Sequence, residues 1–548
     1  MSYIEIDKEF FINNIQPEFE TDSEINIQGR SKLRYGASML ELNPNSLEWD
    51  DLEKIYDIAQ NKGNRSVMMQ VSAIKNLISD FEGAKIANLK ALAVALPSYF
   101  SDNLIDGWIY SLDRKNNPVT VDPYLITDIR YYPPKKDDPA SVSIRLVANS
   151  PRQSSRDKRY TRSIYFDSSD IRGKTIPQIL AKENLFHETE ELKNIYLEQL
   201  ELFNKYQPQK TKQFLISGKS YETSGGSYSS DYYFNSNGYI DITTKNRFIN
   251  DEGIVKRVFN EEHDPYYWRN EAGVEEKFDR IPQHCYIFGF NLDTHKYTWV
   301  HATNMKPYEY DTGLRDKLIL PQRHKDLIDI LVSDLDILKE DIIEGKSGGT
   351  TILATGKPGL GKTLSAEIYS EAIEKPLYKV HSGQLGLNSK DVQENLEVIL
   401  KRASRWGAIV LLDEADVFIR ERGNDLQQNA VVASFLRTLE YFDGILFMTT
   451  NREFDVDDAI KSRCIAVIRY ETPSEEDAKK IWKVLSTQLE VNLSDELIDQ
   501  LVLKFPEASG RDIKELLKLT SRFAKGKNEE ISLELFRQCA QFRAIKIK

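Results

Sequence analysis

Cysteine and histidine are scarce in this chain. Its 548 residues hold three cysteines, Cys285, Cys464 and Cys539, and seven histidines. Three widely separated cysteines build neither a disulfide framework nor a CxxC knuckle, which is the usage of a reducing compartment. The closest histidine pairings, His284 beside Cys285 and His295 with His301, lack ligand spacing, so ordinary core or surface histidines are expected. Long apolar runs are also missing. The nearest, "ALAVAL", ends at Pro97, far short of the ~20 residues a membrane helix needs. The opening "MSYIEIDKEFFINN" is acidic where a secretory signal is basic and then apolar. A cytoplasmic chain without a membrane span is the expectation.

Positive charge is in deficit as well. The net charge is −12, and it is unevenly spread. Residues 351–548 carry 29 basic against 31 acidic side chains, and the first 350 carry 44 against 54. An acidic N-terminal two-thirds is poorly suited to gripping nucleic acid, whose affinity comes from phosphate neutralisation. A local basic patch such as "SPRQSSRDKRYTR" leaves that partner open, although a solvated hairpin loop accounts for it more simply.

What is present divides the chain into a multidomain α/β and β protein. Residues 1–35 mix acids with Ile and Phe and read as an acidic N-terminal arm, mobile or ordered on a partner. Residues 36–118 have helical apolar spacing in "SLEWDDLEKIYDIAQNK", "MMQVSAIKNLISDFEG" and "IANLKALAVAL", a small helical region. Residues 119–313 change to short β-branched and aromatic runs such as "VSIRLVA", "RSIYFD" and "KYTWVHA". They are broken by one helix at "ETEELKNIYLEQLELFNKY", and "SGGSYSSDYYFNSNG" reads as a loop. That is a mostly β recognition domain. Residues 314–350 read as a linker. In 351–472 near-continuous apolar strands alternate with helices, the pattern of a parallel sheet buried on both faces. Residues 473–548 turn helical. No internal repeat is visible.

The chemistry is concentrated in "ATGKPGLGKTLSAEI", residues 354–368. Gly356, Gly361, Lys362 and Thr363 fill GxxxxGK[ST] between a strand and a helix, and Lys357, Pro358, Gly359, Leu360 and Leu364 complete the loop. Backbone N–H groups there and at the helix N-terminus wrap phosphates, the lysine neutralises β/γ charge and the threonine hydroxyl coordinates Mg²⁺. Some fifty residues on, the apolar strand in "AIVLLDEAD" ends in Asp413 and Glu414. One carboxylate, Asp413, is assigned to Mg²⁺ and the other, Glu414, to the attacking water. A third apolar strand, "ILFMTTNRE", ends at Asn451 and is expected between the first two, where the amide reaches both γ-phosphate and water.

With these three elements in order, residues 340–548 resemble the AAA+ ATPases. The run "RWGAIVLLDEADVFIRER" with "NAVVASFLRTLEYFDGILFMTTNR" is most similar to a little-characterised fungal and bacterial AAA group, which the segment "YIFGFNLDTHKYTWVHATNMKPYEYDTGLRDKLILP" also faintly resembles. The resemblance implies ATP rather than GTP, a helical lid over 473–548, and a homo-oligomeric ring, most often of six subunits. It places Arg511, in "GRDIKELLKLTSRFA", where an arginine on the lid reaches the γ-phosphate. It places Arg463, in "DDAIKSRCIAVIRY", where an arginine finger serves the neighbouring subunit's nucleotide. The family pattern often has two arginines here, and this chain has one in register, with Arg452 and Arg469 nearby. Members that thread protein through the ring put an aromatic residue after the second strand. In "VHSGQLGLNSKDV" that place holds Gln384 and Leu385, leaving Leu385 for a weak grip. Three functions stay open: remodelling of a protein partner held by the N-terminal domains, a slow ATP-gated assembly switch, and a nucleic-acid loader suggested by the "SRC" triplet.

Overall fold

The computed structural model describes the chain except residues 1–3, 34–38, 44–46, 48, 65, 69, 72–84, 104–107, 114–118, 136–137, 152–159, 225–232, 256–265, 270–274, 279–280, 334–348, 387, 453–454, 544 and 548. It divides into two compact units, Met1–Tyr308 and Glu309–Lys548. Most of the segments "MMQVSAIKNLISDFEG", "SPRQSSRDKRYTR" and the first half of "SGGSYSSDYYFNSNG" lie outside the described residues.

In the first unit, the acidic start is not an arm. Strand β1 (Ile4–Asp7) pairs antiparallel with β2 (Met39–Leu42). Ile4, Ile6, Phe11, Ile15 and Ile25 form one core with Leu40, Leu42 and helix α1 (Trp49–Asn61). The apolar residues spaced among the acids bury a face that composition alone hides. The region read as helical also contributes β3 (Trp108–Asp113), which pairs with β4 (Thr120–Tyr132). With β5 (Ser141–Ala148), β6 (Tyr160–Phe166) and β7 (Leu185–Phe186) these make a sheet of order β6-β5-β4-β3-β7. Helix α2 (Leu89–Asn103) covers it through Leu92, Leu96 and Phe100.

A second sheet of the same unit joins β8 (Gln213–Ser224), β9 (Tyr233–Asn250), β12 (Tyr286–Asn291), β13 (Lys296–His301) and β14 (Met305–Pro307); β10 (Tyr266–Arg269) and β11 (Glu275–Phe278) form a separate two-stranded sheet. Because β8 pairs with both β9 and β13, and β12 bridges those two, these four strands close into a small barrel, and β14 is added along β8. Tyr233 and the residues after it belong to β9, not to a loop. Helix α3 (Glu190–Tyr206) starts at the Thr189 N-cap. Its Leu192, Tyr196, Phe203 and Tyr206 pack on Trp108 and Leu125 of the first sheet and on Phe214, Phe248 and Val300 of the second. This shared core merges the two sheets into one unit.

The second unit holds five parallel strands, β15 (Thr350–Gly356), β16 (Leu377–His381), β17 (Ile409–Asp413), β18 (Ile445–Thr450) and β19 (Ala466–Tyr470), in the order β16-β17-β18-β15-β19. Every residue of β15 and β18 is buried, as strands covered on both faces require. The described first part of the segment read as a linker, residues 314–333, contributes to this core. Leu318 and, on α4 (Gln322–Ser333), Ile328 and Leu331 pack with Ile352, Ala354 and Ile468. The connecting helices are α5 (Lys362–Ala372), α6 (Ser389–Trp406), α7 (Leu426–Leu439) and α8 (Asp458–Arg463). The C-terminal helices α9 (Glu475–Gln488), α10 (Asp495–Lys504), α11 (Gly510–Lys527) and α12 (Leu533–Gln541) each begin at a serine N-cap: Ser474, Ser494, Ser509 and Ser532. They share a core of Trp482, Leu501, Leu516, Leu517 and Phe536.

Candidate active site

The site lies at the C-terminal ends of β15, β17 and β18, the edge where open α/β sheets bind ligands. After β15 the chain turns at Gly359 and Gly361, both with φ in the left-handed region (83° and 95°), and enters α5 with Gly361 as its N-cap. The first N–H groups of α5 have no partner within the helix and face the loop. A Cβ on Gly359 would stand 2.6 Å from Ser509 Oγ and 2.9 Å from Arg511 Cβ. The loop and the start of α11 therefore touch, and the Arg511 amide donates to Gly359 O at 3.2 Å.

Lys362 is buried, and its Nζ donates to Gly356 O (2.6 Å), Lys357 O (2.8 Å) and Asn451 Oδ1 (3.0 Å). Thr363 Oγ1 donates to Asp413 Oδ1 at 2.8 Å, and Thr449 Oγ1 donates to the same oxygen at 2.6 Å. Burial works to raise the Asp413 pKa. The two hydroxyls, with Lys379 and His381 nearby, outweigh it and hold the carboxyl below its ordinary value. Asp413 is thus an anion at neutral pH beside a threonine hydroxyl, a donor set of the hard oxygen type that suits Mg²⁺. Glu414 has φ 56°, unusual for a side-chain-bearing residue, and its amide donates to Thr449 Oγ1 at 3.1 Å. Thr449 fixes both acids at once.

These groups open onto a cavity of about 970 Å³. Among its lining residues are Pro358, Gly359, Leu360, Gly361, Lys362, Thr363, Leu364, Asp413, Glu414 and Asn451 of the sequence-derived set; Gly356 and Lys357 do not line it, but their carbonyls accept from Lys362. Arg511 lines it from α11. Arg463 does not line it: this side chain ends α8 and lies 3.9 Å from Glu440. Apolar Leu318, Leu320, Tyr470, Ile481 and Leu485 also line the cavity, interspersed with charged residues such as Lys317, Arg323, Glu471 and Lys514.

Sequence reasoning missed Thr449, Asp416 and Lys379. Asp416 accepts from the Thr450 hydroxyl and, at 3.3 Å, from the Asn451 amide, which anchors the turn carrying Asn451. The polar pair Thr449–Thr450 ending an otherwise apolar strand was the available signal. Leu385 corrects an expectation. It is fully buried beneath a turn over Ser382–Gln384, so it presents no gripping side chain.

Comparison with known proteins agrees with this geometry. Residues 352–472 match the family described as "ATPase family associated with various cellular activities (AAA)". A putative 26S proteasome regulatory subunit homolog of Methanothermobacter thermautotrophicus is 28% identical over 177 residues, 30% of this chain and 46% of that protein. A proteasome-associated ATPase of Catenulispora acidiphila is 27% identical over 211 residues, 33% of each chain. Fidgetin-like protein 1 of Homo sapiens is 27% identical over 198 residues, 34% of this chain and 29% of that one. The chain spans less than half the length of each of these relatives. Among the described residues no helix is long and apolar enough to cross a membrane. Matching profile, similar relatives and the strand order around Lys362, Asp413 and Asn451 agree: residues 352–472 are a domain of the AAA ATPase family.

Proposed function

We propose that this chain is a Mg²⁺-dependent ATPase that works as a homo-oligomeric ring, six subunits being the family habit, in the cytoplasm. It couples turnover to remodelling a protein partner held by residues 1–308. The observation that carries the reading is the convergence of two hydrogen-bonded pairs, Lys362 with Asn451 and Thr363 with Asp413, at the ends of three adjacent strands. Residues 351–472 form the catalytic core, 473–548 act as the lid, and 119–313 include the recognition surface.

Lys362, held against two carbonyls, supplies positive charge to the β- and γ-phosphates, and the α5 N-terminus supplies amide donors. Thr363 and Asp413 hold the metal, which when bound spreads the charge of the departing phosphoryl group. Glu414 takes the proton of the attacking water, and Asn451 orients that water once Lys362 turns to phosphate. The apolar side chains of Leu318, Leu320 and Ile481 suit a planar base, and adenine follows from the AAA domain. Arg511 reaches the γ-phosphate from the lid. Arg463, outside its own chain's cavity, serves the neighbour's nucleotide, so turnover needs the assembled ring.

Proteasome appears in the names of two relatives, which supports a protein partner over nucleic acid. The burial of Leu385 favours pushing, gating or assembly switching over threading. The test is mass by light scattering with phosphate release on the same samples, for wild type and Glu414→Gln, with and without ATP and Mg²⁺. A ring that tightens with ATP and hydrolyses only with Glu414 intact supports the reading. An ATP-binding monomer without turnover in either protein overturns it.

A further inference from the structure

Lys379 stands between two carboxylates at the edge of the metal-binding pair. It projects from β16, with Nζ 3.7 Å from Asp413 Oδ2 and 3.4 Å from Glu367 Oε1. Asp413 Oδ1 already accepts from Thr363 and Thr449, so the ammonium lies on the remaining oxygen. Glu367 sits one helical turn after Thr363 on α5, which puts both on one helix face, and it lines the same cavity as Asp413 and Glu414. Three carboxylates, Asp413, Glu414 and Glu367, thus line the cavity beside the Thr363–Asp413 pair proposed to hold the metal. Lys362 donates to Gly356 O, Lys357 O and Asn451, and Lys379 sets an ammonium beside Asp413 from the other strand.

Resting on the reading that this site takes Mg²⁺ with ATP, we infer that Lys379 is a positioning residue that keeps the metal place closed until nucleotide arrives. In the nucleotide-free protein its charge offsets Asp413 and Glu367, so a bare divalent ion finds too little net negative charge to bind. When nucleotide brings the metal, phosphate oxygens supply the missing charge, and Lys379 moves fully onto Glu367. Glu367 is the second seat that makes this exchange possible without stranding the ammonium. The arrangement makes the metal a companion of the nucleotide: it enters with ATP and loses its hold when phosphate leaves.

The probe is Mn²⁺, measured by electron paramagnetic resonance on the full chain without nucleotide and again with ATP in the Glu414→Gln background. Lys379→Met, of similar length and without charge, is expected to bind Mn²⁺ in the absence of nucleotide at least about tenfold tighter than wild type. A unit charge within a few ångströms of a divalent ion is worth that much at the effective dielectric of a protein surface. Lys379→Arg restores exclusion, and Lys379→Met with Glu367→Gln returns toward wild type, outcomes that a merely structural lysine does not produce. Glu367→Gln alone leaves Lys379 on Asp413 and raises the Mg²⁺ concentration needed for ATP binding several-fold, a measurement that stands if the methionine variant fails to fold. Equal nucleotide-free Mn²⁺ affinity in wild type and Lys379→Met, with ATP–Mn²⁺ still bound, overturns the inference and leaves the ATPase reading intact. If wild type binds no Mn²⁺ even with ATP, the ATPase reading itself fails.

Discussion

Replacing Thr449 with valine removes one hydroxyl and changes almost nothing else in shape, yet that hydroxyl contacts both Asp413 and Glu414 of the candidate site. It donates to Asp413 Oδ1 at 2.6 Å and accepts from the Glu414 amide at 3.1 Å, and Thr449 is buried. A hydrogen bond to a charged group contributes about 1.5–3 kcal/mol, and a buried N–H left without an acceptor costs about 1–3 kcal/mol. Glu414 is exposed, so water can take over its amide and the second cost is largely relieved; the loss is roughly 1.5–3 kcal/mol, serious against a domain stability of about 5–15 kcal/mol but leaving a folded protein. The positive φ of Glu414 makes the loss functional, because a left-handed residue deprived of its anchor relaxes by about 1–2 kcal/mol. Turnover of Thr449→Val is therefore expected to fall ten- to a thousandfold in a steady-state phosphate-release assay, with ATP affinity within about threefold because Lys362 and its loop are untouched. Thr449→Ser, which keeps the hydroxyl, should lie near wild type. Stability carries a pH signature as well. The native pKa of Asp413 is depressed, so its contribution is complete above the ordinary carboxylate pKa of about 4 and is lost as pH falls through the lower native value. The destabilisation by valine should shrink over that acidic window. If Thr449→Val and Thr449→Ser turn over ATP equally well, the two-acid anchor described here is wrong.

Other perturbations probe other contacts. Gly359→Ala places a methyl group against Ser509 and Arg511 at a φ of 83°, so the loop and the start of α11 must separate; ATP affinity measured with a fluorescent analogue should drop at least about tenfold while circular dichroism is retained. Arg463→Ala should bind ATP normally but lose turnover by about 10³ or more, and mixing it with Glu414→Gln should recover activity at hybrid interfaces. Full turnover by Arg463→Ala alone would remove this residue from the mechanism. Leu385→Asp buries a charge and should lower stability by at least about 3 kcal/mol in urea unfolding, whereas a solvent-facing gripping residue would leave stability unchanged.

The sequence was most informative where chemistry demands a fixed local order. GxxxxGK[ST] must follow a strand and open a helix, and β15 and α5 do so. Asn451 was expected on a strand between the other two, and β18 pairs with both β17 and β15. Legibility ended where a residue's role depends on which strand lies beside its own. Lys379 in "LYKVH" reads as one polar residue in an apolar strand until the pairing of His381 with Asp413 brings β16 against β17. The same limit misjudged whole segments: Ile4 and Ile6 look like apolar residues in an acidic arm until β2, more than thirty residues later, covers them. Leu318 and Ile328 look like linker until they meet Ile352.

That contrast bears on how the site is built. Most of the residues proposed to hold phosphate sit in one short motif because a loop and one helix end suffice to present them. Besides Thr363 of α5, the residues that flank Asp413 come from the neighbouring strands, Thr449 from β18 and Lys379 from β16, because strands paired with β17 bring their side chains beside its end. In this sheet one flank supplies a neutral donor and the other a charge. The neutral side fixes the geometry of Asp413 and Glu414 whatever is bound. The charged side responds to what is bound, since an ammonium with a second carboxylate in reach has somewhere to go when a metal arrives. A change on the β18 side should therefore appear chiefly in turnover and a change on the β16 side chiefly in metal dependence, so the two flanks are separable by experiment.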